Sequence, residues 1–255
     1  MSTNDAIAFI KRNKDNPFFL YLAFDAPHEP YNIDQTAWYE GQETWEPNTK
    51  RYASLITHMD AAIGRLLNEL EQLNLRKNTL IIFASDNGAA IQAPIKILNC
   101  NAGFKGRKGT LYEGGIRVPF IVNQPGMVPI QTLDNLIYFP DMMPTLAALA
   151  KGTKHLPKQI NGINILPLFY GKQVDTDNRL LYWEFPGKQR AARKGDWKCV
   201  TIHPNQPLEL YNLKEDPEET NNLAKKYPRR VKEFDEEMQR MHIPTPNWPQ
   251  PGEQF

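Results

Sequence analysis

Two short runs of unbroken apolar sequence bracket one long amphipathic segment, and this pattern restricts the possible folds more than any other feature of the chain. The first, Pro17-Phe18-Phe19-Leu20-Tyr21-Leu22-Ala23-Phe24, offers no polar position for water, as expected of a strand covered on both faces in a parallel sheet. The second, Thr79-Leu80-Ile81-Ile82-Phe83-Ala84-Ser85, reads the same way. Between them, over residues 52–73, Leu55, Met59, Ala62, Ile63, Leu66, Leu67 and Leu70 recur at helical spacing and give one apolar face. Strand, helix and strand in this order predict a βαβ crossover and an α/β architecture.

Around this unit the local signals are clear. Ser2, Thr3, Asn4 and Asp5 are all good caps for a helix through Ala6-Ile7-Ala8-Phe9-Ile10-Lys11, with Ile7, Ile10 and Phe9 turned inward. A third apolar run, Val118–Val122, precedes a helical stretch over 139–150, with Pro140 or Pro144 at its first turn. Beyond residue 175 the pattern changes to short, partly alternating strands at 180–185, 191–193, 197–201 and 208–211, with Lys194-Gly195-Asp196 as a hairpin turn. Residues 230–241 form an amphipathic helix with Val231, Phe234 and Met238 on one face, and a Pro-rich tail covers 244–255. The expected organisation is an α/β portion over residues 1–175 and a small antiparallel subdomain with its helix over 176–255.

Composition excludes several classes. Lys+Arg 30 against Asp+Glu 29 leaves +1, which gives no electrostatic reason to bind nucleic acid. Two cysteines in 255 residues exclude a disulfide-built scaffold and match no zinc-ligand spacing. The apolar runs fall far short of the roughly 20 residues of a membrane span. Met1-Ser2-Thr3-Asn4-Asp5 has no basic stretch leading into an apolar one, so it does not read as a signal peptide, and localisation stays open.

Three segments carry residue types suited to chemistry. His28, in Ala26-Pro27-His28-Glu29-Pro30, follows the first apolar run, at the strand edge where α/β sheets bind ligands. An imidazole there serves as general acid or base or as a donor to an anion; the alternative is a loop histidine held between two prolines. Asp86-Asn87-Gly88 ends the second run, and its carboxylate and amide oxygen suit a hard divalent cation, or else simply form an Asn-Gly turn. The third segment, Gly103 to Pro119, interleaves Lys105, Arg107, Lys108 and Arg117 with glycines, which lets backbone and cationic tips approach an anion closely. The aromatics Tyr31, Trp38, Tyr39 and Trp45 in the loop before the long helix suit either stacking on a ring or packing on their own core. Arg190 and Lys188 lie where a second anionic group could be met.

Together these segments resemble the sulfatases of the alkaline phosphatase superfamily. The resemblance rests on Asn16-Pro17-Phe18-Phe19-Leu20-Tyr21-Leu22, Ala26-Pro27-His28-Glu29-Pro30, Met59-Asp60-Ala61-Ala62-Ile63-Gly64-Arg65 and Ser85-Asp86-Asn87-Gly88. It continues in Lys108-Gly109-Thr110-Leu111-Tyr112-Glu113-Gly114-Gly115-Ile116-Arg117-Val118-Pro119, its most diagnostic stretch, in Pro144-Thr145-Leu146-Ala147-Ala148-Leu149-Ala150, and in Glu209-Leu210-Tyr211-Asn212-Leu213 through Asn222-Leu223-Ala224. It implies part of an alkaline-phosphatase-like sheet flanked by helices, and sulfuric ester hydrolysis on an aryl or carbohydrate sulfate. It also implies that Asp86 and Asn87 ligate Ca²⁺ (or Mg²⁺), that Lys108 contacts the sulfate with Lys105 and Arg107 as further substrate contacts, and that His28 contacts sulfate or the leaving oxygen.

The same resemblance implies a formylglycine nucleophile made from a Cys/Ser-x-Pro/Ala-x-Arg motif, which the 255 residues do not contain. Cys100-Asn101-Ala102-Gly103-Phe104 comes nearest but has Phe104 in place of arginine, and Cys199 lies in a strand as an inert thiol. The paired aspartates that open the family's metal site and its first sulfate contacts are missing as well. The chain is therefore expected to correspond to the latter half of a sulfatase, to supply part of a metal shell and to be inactive alone. It is also expected to self-associate or bind the missing N-terminal half through an exposed sheet edge or apolar face. Two other readings stay open: a non-catalytic protein that binds sulfated glycans, and a phosphatase or phosphonate hydrolase of the same superfamily. The family is usually exported.

Overall fold

The computed structural model describes residues 2–185, 189–203 and 205–246. It divides into two units, one of Met1–Phe83, Ala90–Cys100 and Ile121–Met127, the other of Ala84–Ala89, Asn101–Phe120 and Val128–Phe255.

The first unit begins where its capping residues dictate. Helix α1 (Thr3–Asn13) is closed by a reciprocal pair: Ser2 Oγ accepts from Asp5 N at 3.2 Å, and Asp5 Oδ2 accepts from Ser2 N at 2.9 Å. Ala6 and Ile10 are buried, and Lys11 pairs with Glu69 at 3.2 Å on helix α2 (Pro47–Gln72). Helix α2 starts earlier than the apolar spacing alone suggests because Pro47, lacking an N–H, fits its first turn. The stripe from Leu55 to Leu67 is only half-buried, and Leu70 is its one fully buried member.

Strand β1 (Ile81–Ala84) forms where the second apolar run predicts a strand, and pairs with β2 (Phe120–Asn123) in a two-stranded sheet. Every β1 residue is half-buried rather than covered on both faces, and Ile121 of β2 is 57% exposed. The expected strand at Phe18–Phe24 is not formed. These residues are extended and enter no sheet, with side chains alternately half-buried and exposed, Phe19 at 70% and Tyr21 at 78%. A strand requires a neighbour to take its N–H and C=O groups, and β1 has β2 as its neighbour instead. The expected βαβ crossover therefore lacks its first strand. A short helix, α3 (Ile95–Leu98), completes the unit.

The second unit holds the one-turn helix α4 (Glu113–Ile116), helix α5 (Met142–Leu149), the one-turn helix α6 (Leu166–Phe169) and a four-stranded antiparallel sheet. The strands β3 (Leu180–Phe185), β4 (Gln189–Lys194), β5 (Trp197–Thr201) and β6 (Glu209–Asn212) lie side by side in sequence order, as their alternation predicts. Gly195, at φ +55°, makes the β4–β5 hairpin, which pairs Lys194 with Trp197. Because neighbours on a strand point to opposite faces, the sheet has two cores. Ala191, Val200 and Tyr211 pack with Leu111, Tyr112 and Leu213 on one face. Ala192, Cys199 and Leu210 pack on the other with Phe234 and Met238 of helix α7 (Pro228–Met241). The α/β class holds, and no helix among the described residues is long and apolar enough to cross a membrane.

Candidate anion and metal site

Strand β1 ends by delivering the turn Ser85-Asp86-Asn87-Gly88, and this turn is fastened to the glycine-rich loop by backbone alone. Gly88 N donates to Gly115 O at 3.0 Å, Lys108 N donates to Ala89 O at 2.8 Å, and Gly114 N donates to Lys105 O at 2.7 Å. The approach is close enough to require glycine: a Cβ at Gly88 would lie 1.9 Å from Gly114 O, and one at Gly114 would lie 2.6 Å from Lys105 O. Asp86 and Asn87 therefore sit on one loop, and Lys105, Arg107 and Lys108 on the loop hydrogen-bonded to it. His28 belongs to the first unit.

Each of these side chains has a definite setting. Asp86 is exposed and Asn87 half-buried; Asn87 Nδ2 donates to Gly88 O at 3.4 Å, so its amide oxygen is the atom suited to a cation. Two hard oxygens fit Ca²⁺ or Mg²⁺ in kind but make only part of the roughly 6–8 ligands Ca²⁺ takes. Among the described residues no group of three or more His, Cys, Asp or Glu side chains is placed to hold a metal. His28 is exposed between the cis peptides Ala26–Pro27 and Glu29–Pro30. Its Nδ1 lies 2.6 Å from Glu29 O and, facing a carbonyl, donates there, which leaves the basic lone pair on Nε2. Arg107 is exposed, and its loop is closed by Thr110, whose Oγ1 donates to Arg107 O at 2.9 Å and accepts from Arg107 N at 3.2 Å.

Lys105 is already engaged by the small sheet. Its ammonium donates to Tyr211 Oη at 2.9 Å, lies 3.5 Å from Glu209 Oε2, and sits 4.1 Å above the Tyr112 ring. Tyr112 and Tyr211 both donate to that same Glu209 oxygen at 2.7 Å, and burial with this carboxylate contact raises both phenols well above their usual range.

Sequence reasoning singled out no role for the buried charges beneath the loop. Lys198 of β5 is wholly buried; its Nζ donates to Glu113 Oε1 at 2.9 Å and faces Glu219 Oε1, also at 2.9 Å, as an ion pair outside hydrogen-bond geometry. Glu219 Oε2 accepts from Glu113 N at 2.6 Å, and Arg193 lies 3.5 Å from Glu113 Oε2. Burial opposes ionisation of Glu113, but Lys198 and Arg193 outweigh it and hold the carboxyl below its ordinary range. For Glu219 burial prevails over Lys198 and the Glu113 N–H, and its carboxyl is pushed up. The available signal was Lys198 itself, a lysine between the apolar Trp197 and Cys199-Val200 of a short strand.

Cys199 is buried in β5, where burial pushes its thiol up to about 12. Cys100 is half-buried beside Tyr52, and burial raises its thiol as well. In the first unit Tyr31 meets Tyr52 edge-on with ring centroids 5.5 Å apart, Trp38 meets His58 at 4.9 Å, and Tyr39 stacks on Trp45 at 5.6 Å. These contacts supply the packing alternative for the loop aromatics. Arg190 pairs with Asp235 at 3.3 Å, and Lys188 and the tail beyond residue 246 lie outside the described residues.

Comparison with known proteins shows the family of the chain. The sulfatase family model matches residues 2–153, and the model for the C-terminal part of N-sulphoglucosamine sulphohydrolase matches residues 104–243. A sulfatase of Formosa agariphila is 32% identical over 253 residues, covering 87% of this chain and 45% of that protein. The N-acetylgalactosamine-6-O-sulfatase of Bacteroides thetaiotaomicron is 30% identical over 257 residues, covering 92% of this chain and 49% of that protein. The crystal structure of Ps i-CgsB superposes with a TM-score of 0.85 at 28% identity, covering 97% of this chain and 55% of that one. This chain thus spans about half the length of the relatives it matches, carries their alkaline-phosphatase-like fold over that half, and belongs to the sulfatase family.

Proposed function

We propose that these 255 residues supply the second half of a sulfate-ester site, on an aryl or carbohydrate sulfate. In this reading Lys108 contacts the sulfate, His28 serves sulfate or the leaving oxygen, Asp86 and Asn87 are two ligands of a divalent cation, and Lys105 and Arg107 are further substrate contacts. The single observation that supports this reading is the backbone fastening of the turn that carries Asp86 and Asn87 to the loop that carries Lys108. Ca²⁺ or Mg²⁺, when bound, neutralises charge on the sulfuryl oxygens as the S–O bond breaks. Lys108 adds a second positive charge to those oxygens. His28, with its proton on Nδ1 held by Glu29 O, takes up a proton at Nε2 and delivers it from there to the departing alcohol.

The implied formylglycine does not fit these residues. Cys100 is followed by Phe104 where the motif requires arginine, and Cys199 is buried between sheet and helix. Neither thiol is suited to the nucleophilic step, and the chain alone is proposed to bind without turning over. That relatives act on sulfated sugars, as the N-acetylgalactosamine-6-O-sulfatase is named for doing, supports a carbohydrate substrate.

Calorimetric titration of the purified chain with inorganic sulfate, with and without Ca²⁺, tests the proposal. Sulfate binding that Ca²⁺ strengthens and Lys108→Ala abolishes is the expected result. Binding indifferent to Lys108 and Ca²⁺ would overturn the site, and rapid metal-dependent hydrolysis of an aryl sulfate would overturn the claim of inactivity.

A further inference from the structure

Glu113 occupies a node. Its carboxylate is 3% exposed, and the residues that follow it, Gly114 and Gly115, make the contacts that define the site. Gly114 N holds Lys105 O at the start of the Lys105–Lys108 loop, and Gly115 O holds Gly88 N beside Asp86-Asn87. Whatever fixes Glu113 therefore fixes both loops. Arg193 and Arg117 lie 3.5 and 3.7 Å from Glu113 Oε2, but the partners that hold it from inside are Lys198, wholly buried on β5 and 2.9 Å from Glu113 Oε1, and Glu219, also wholly buried, which accepts from Glu113 N at 2.6 Å. Buried charges are costly, and replacement by apolar groups is often neutral or stabilising, so such a cluster adds little to fold stability as such. Its distinctive property is geometric: one ammonium between two carboxylates admits few arrangements.

We infer that Lys198 is a positioning residue, which acts through Glu113 and Glu219 to set the Lys108 loop against the Asp86-Asn87 turn. The inference rests on the anion-site reading for its functional consequence, but its structural consequence stands apart from that reading. The small C-terminal sheet is in this view part of the site's framework, since the cation that orders the loop comes from its third strand.

The test compares the wild-type chain with the triple variant Glu113→Gln/Lys198→Met/Glu219→Gln, which removes the three buried charges together and leaves only the partly exposed Arg193 and Arg117 without their Glu113 partner. Amide hydrogen exchange is followed by mass spectrometry, and sulfate affinity by titration. The expected result is exchange at residues 103–115 accelerated at least tenfold with β3–β6 and α7 unchanged, and sulfate affinity lowered about tenfold, as for loss of a group that orients a ligating residue. Unchanged exchange in the loop, or equal acceleration across sheet and loop, would overturn the inference. So would unchanged sulfate affinity in the variant, provided Lys108→Ala abolishes wild-type binding. If the wild type shows no Lys108-dependent sulfate binding, the anion-site reading fails and the exchange data alone decide the role of Lys198. Should the triple variant not fold, Glu219→Gln, which keeps an acceptor for Glu113 N, replaces it: acceleration confined to 103–115 supports the inference, and its absence overturns it.

Discussion

Gly88 N donates to Gly115 O at 3.0 Å, and the same approach leaves no room for a Cβ, which would stand 1.9 Å from Gly114 O. Gly88→Ala should therefore push the Asp86-Asn87 turn off the glycine loop and cost about 2–3 kcal/mol. Gly64→Ala is the matched control: Gly64 lies inside α2 with nothing within 4 Å of its virtual Cβ, and the exchange should stabilise by about 0.5–1 kcal/mol. Urea denaturation of both variants measures the opposite signs.

The ammonium of Lys105 is shared among Tyr211, Glu209 and the Tyr112 ring. Lys105→Met keeps the stem but loses these contacts, and should destabilise by about 1 kcal/mol, a modest figure because the side chain is 37% exposed. Comparing Lys105→Met with Lys108→Ala in both denaturation and sulfate titration separates anchoring from ligand contact; the larger loss of sulfate affinity is expected for Lys108.

The acid limb of stability should depend on Glu113. Its folded-state carboxyl lies below the ordinary value of 4.5, so its contribution is present above that value and lost as pH falls through the folded value. Glu219 is raised, and its contribution has the opposite sign, present below 4.5 and lost as pH rises through its folded value. Thermal unfolding followed downward from pH 6 should show a loss of stability below about pH 4.5 that is shallower in Glu113→Gln and steeper in Glu219→Gln.

The two thiols should differ in reactivity. With its thiol pushed up to about 12 and its side chain enclosed between sheet and α7, Cys199 should resist alkylation at pH 8 until the chain unfolds. Cys100, only half-buried, should react faster under native conditions. Mass spectrometry after timed alkylation gives both rates.

The extended segment carrying Phe19 and Tyr21, 70% and 78% exposed and in no sheet, should make the chain associate with itself. Sedimentation velocity across a wide concentration range should show this, and Phe19→Ser/Tyr21→Ser should shift the chain toward monomer.

Where local rules decide the outcome, the sequence was readable. The capping pair Ser2 and Asp5, the hairpin at Gly195 and the four alternating strands all form where capping, turn and pattern signals place them. The segment Phe18–Phe24 was misread because apolar continuity reports a preference for burial, while strand formation depends on a partner elsewhere in space. At the site, the resemblance to sulfatases implies roles for Asp86, Asn87 and Lys108, whereas residue chemistry alone leaves Asp86 and Asn87 equally well explained as a simple Asn-Gly turn. Lys198 is legible only as an anomaly, a lysine among apolar strand residues: alternation says which face a residue takes, but not that a lysine on the inner face will meet two buried carboxylates.

The small sheet has a core on each face, one shared with Leu111 and Tyr112 and the other with α7. Engineers who wish to shorten or graft this protein inherit a constraint from that sandwich. Cutting the chain before residue 180 would strip the cover from Leu111, Tyr112 and Glu113 in a single stroke, so the glycine-rich segment travels to a new host only in company with the strands that roof it.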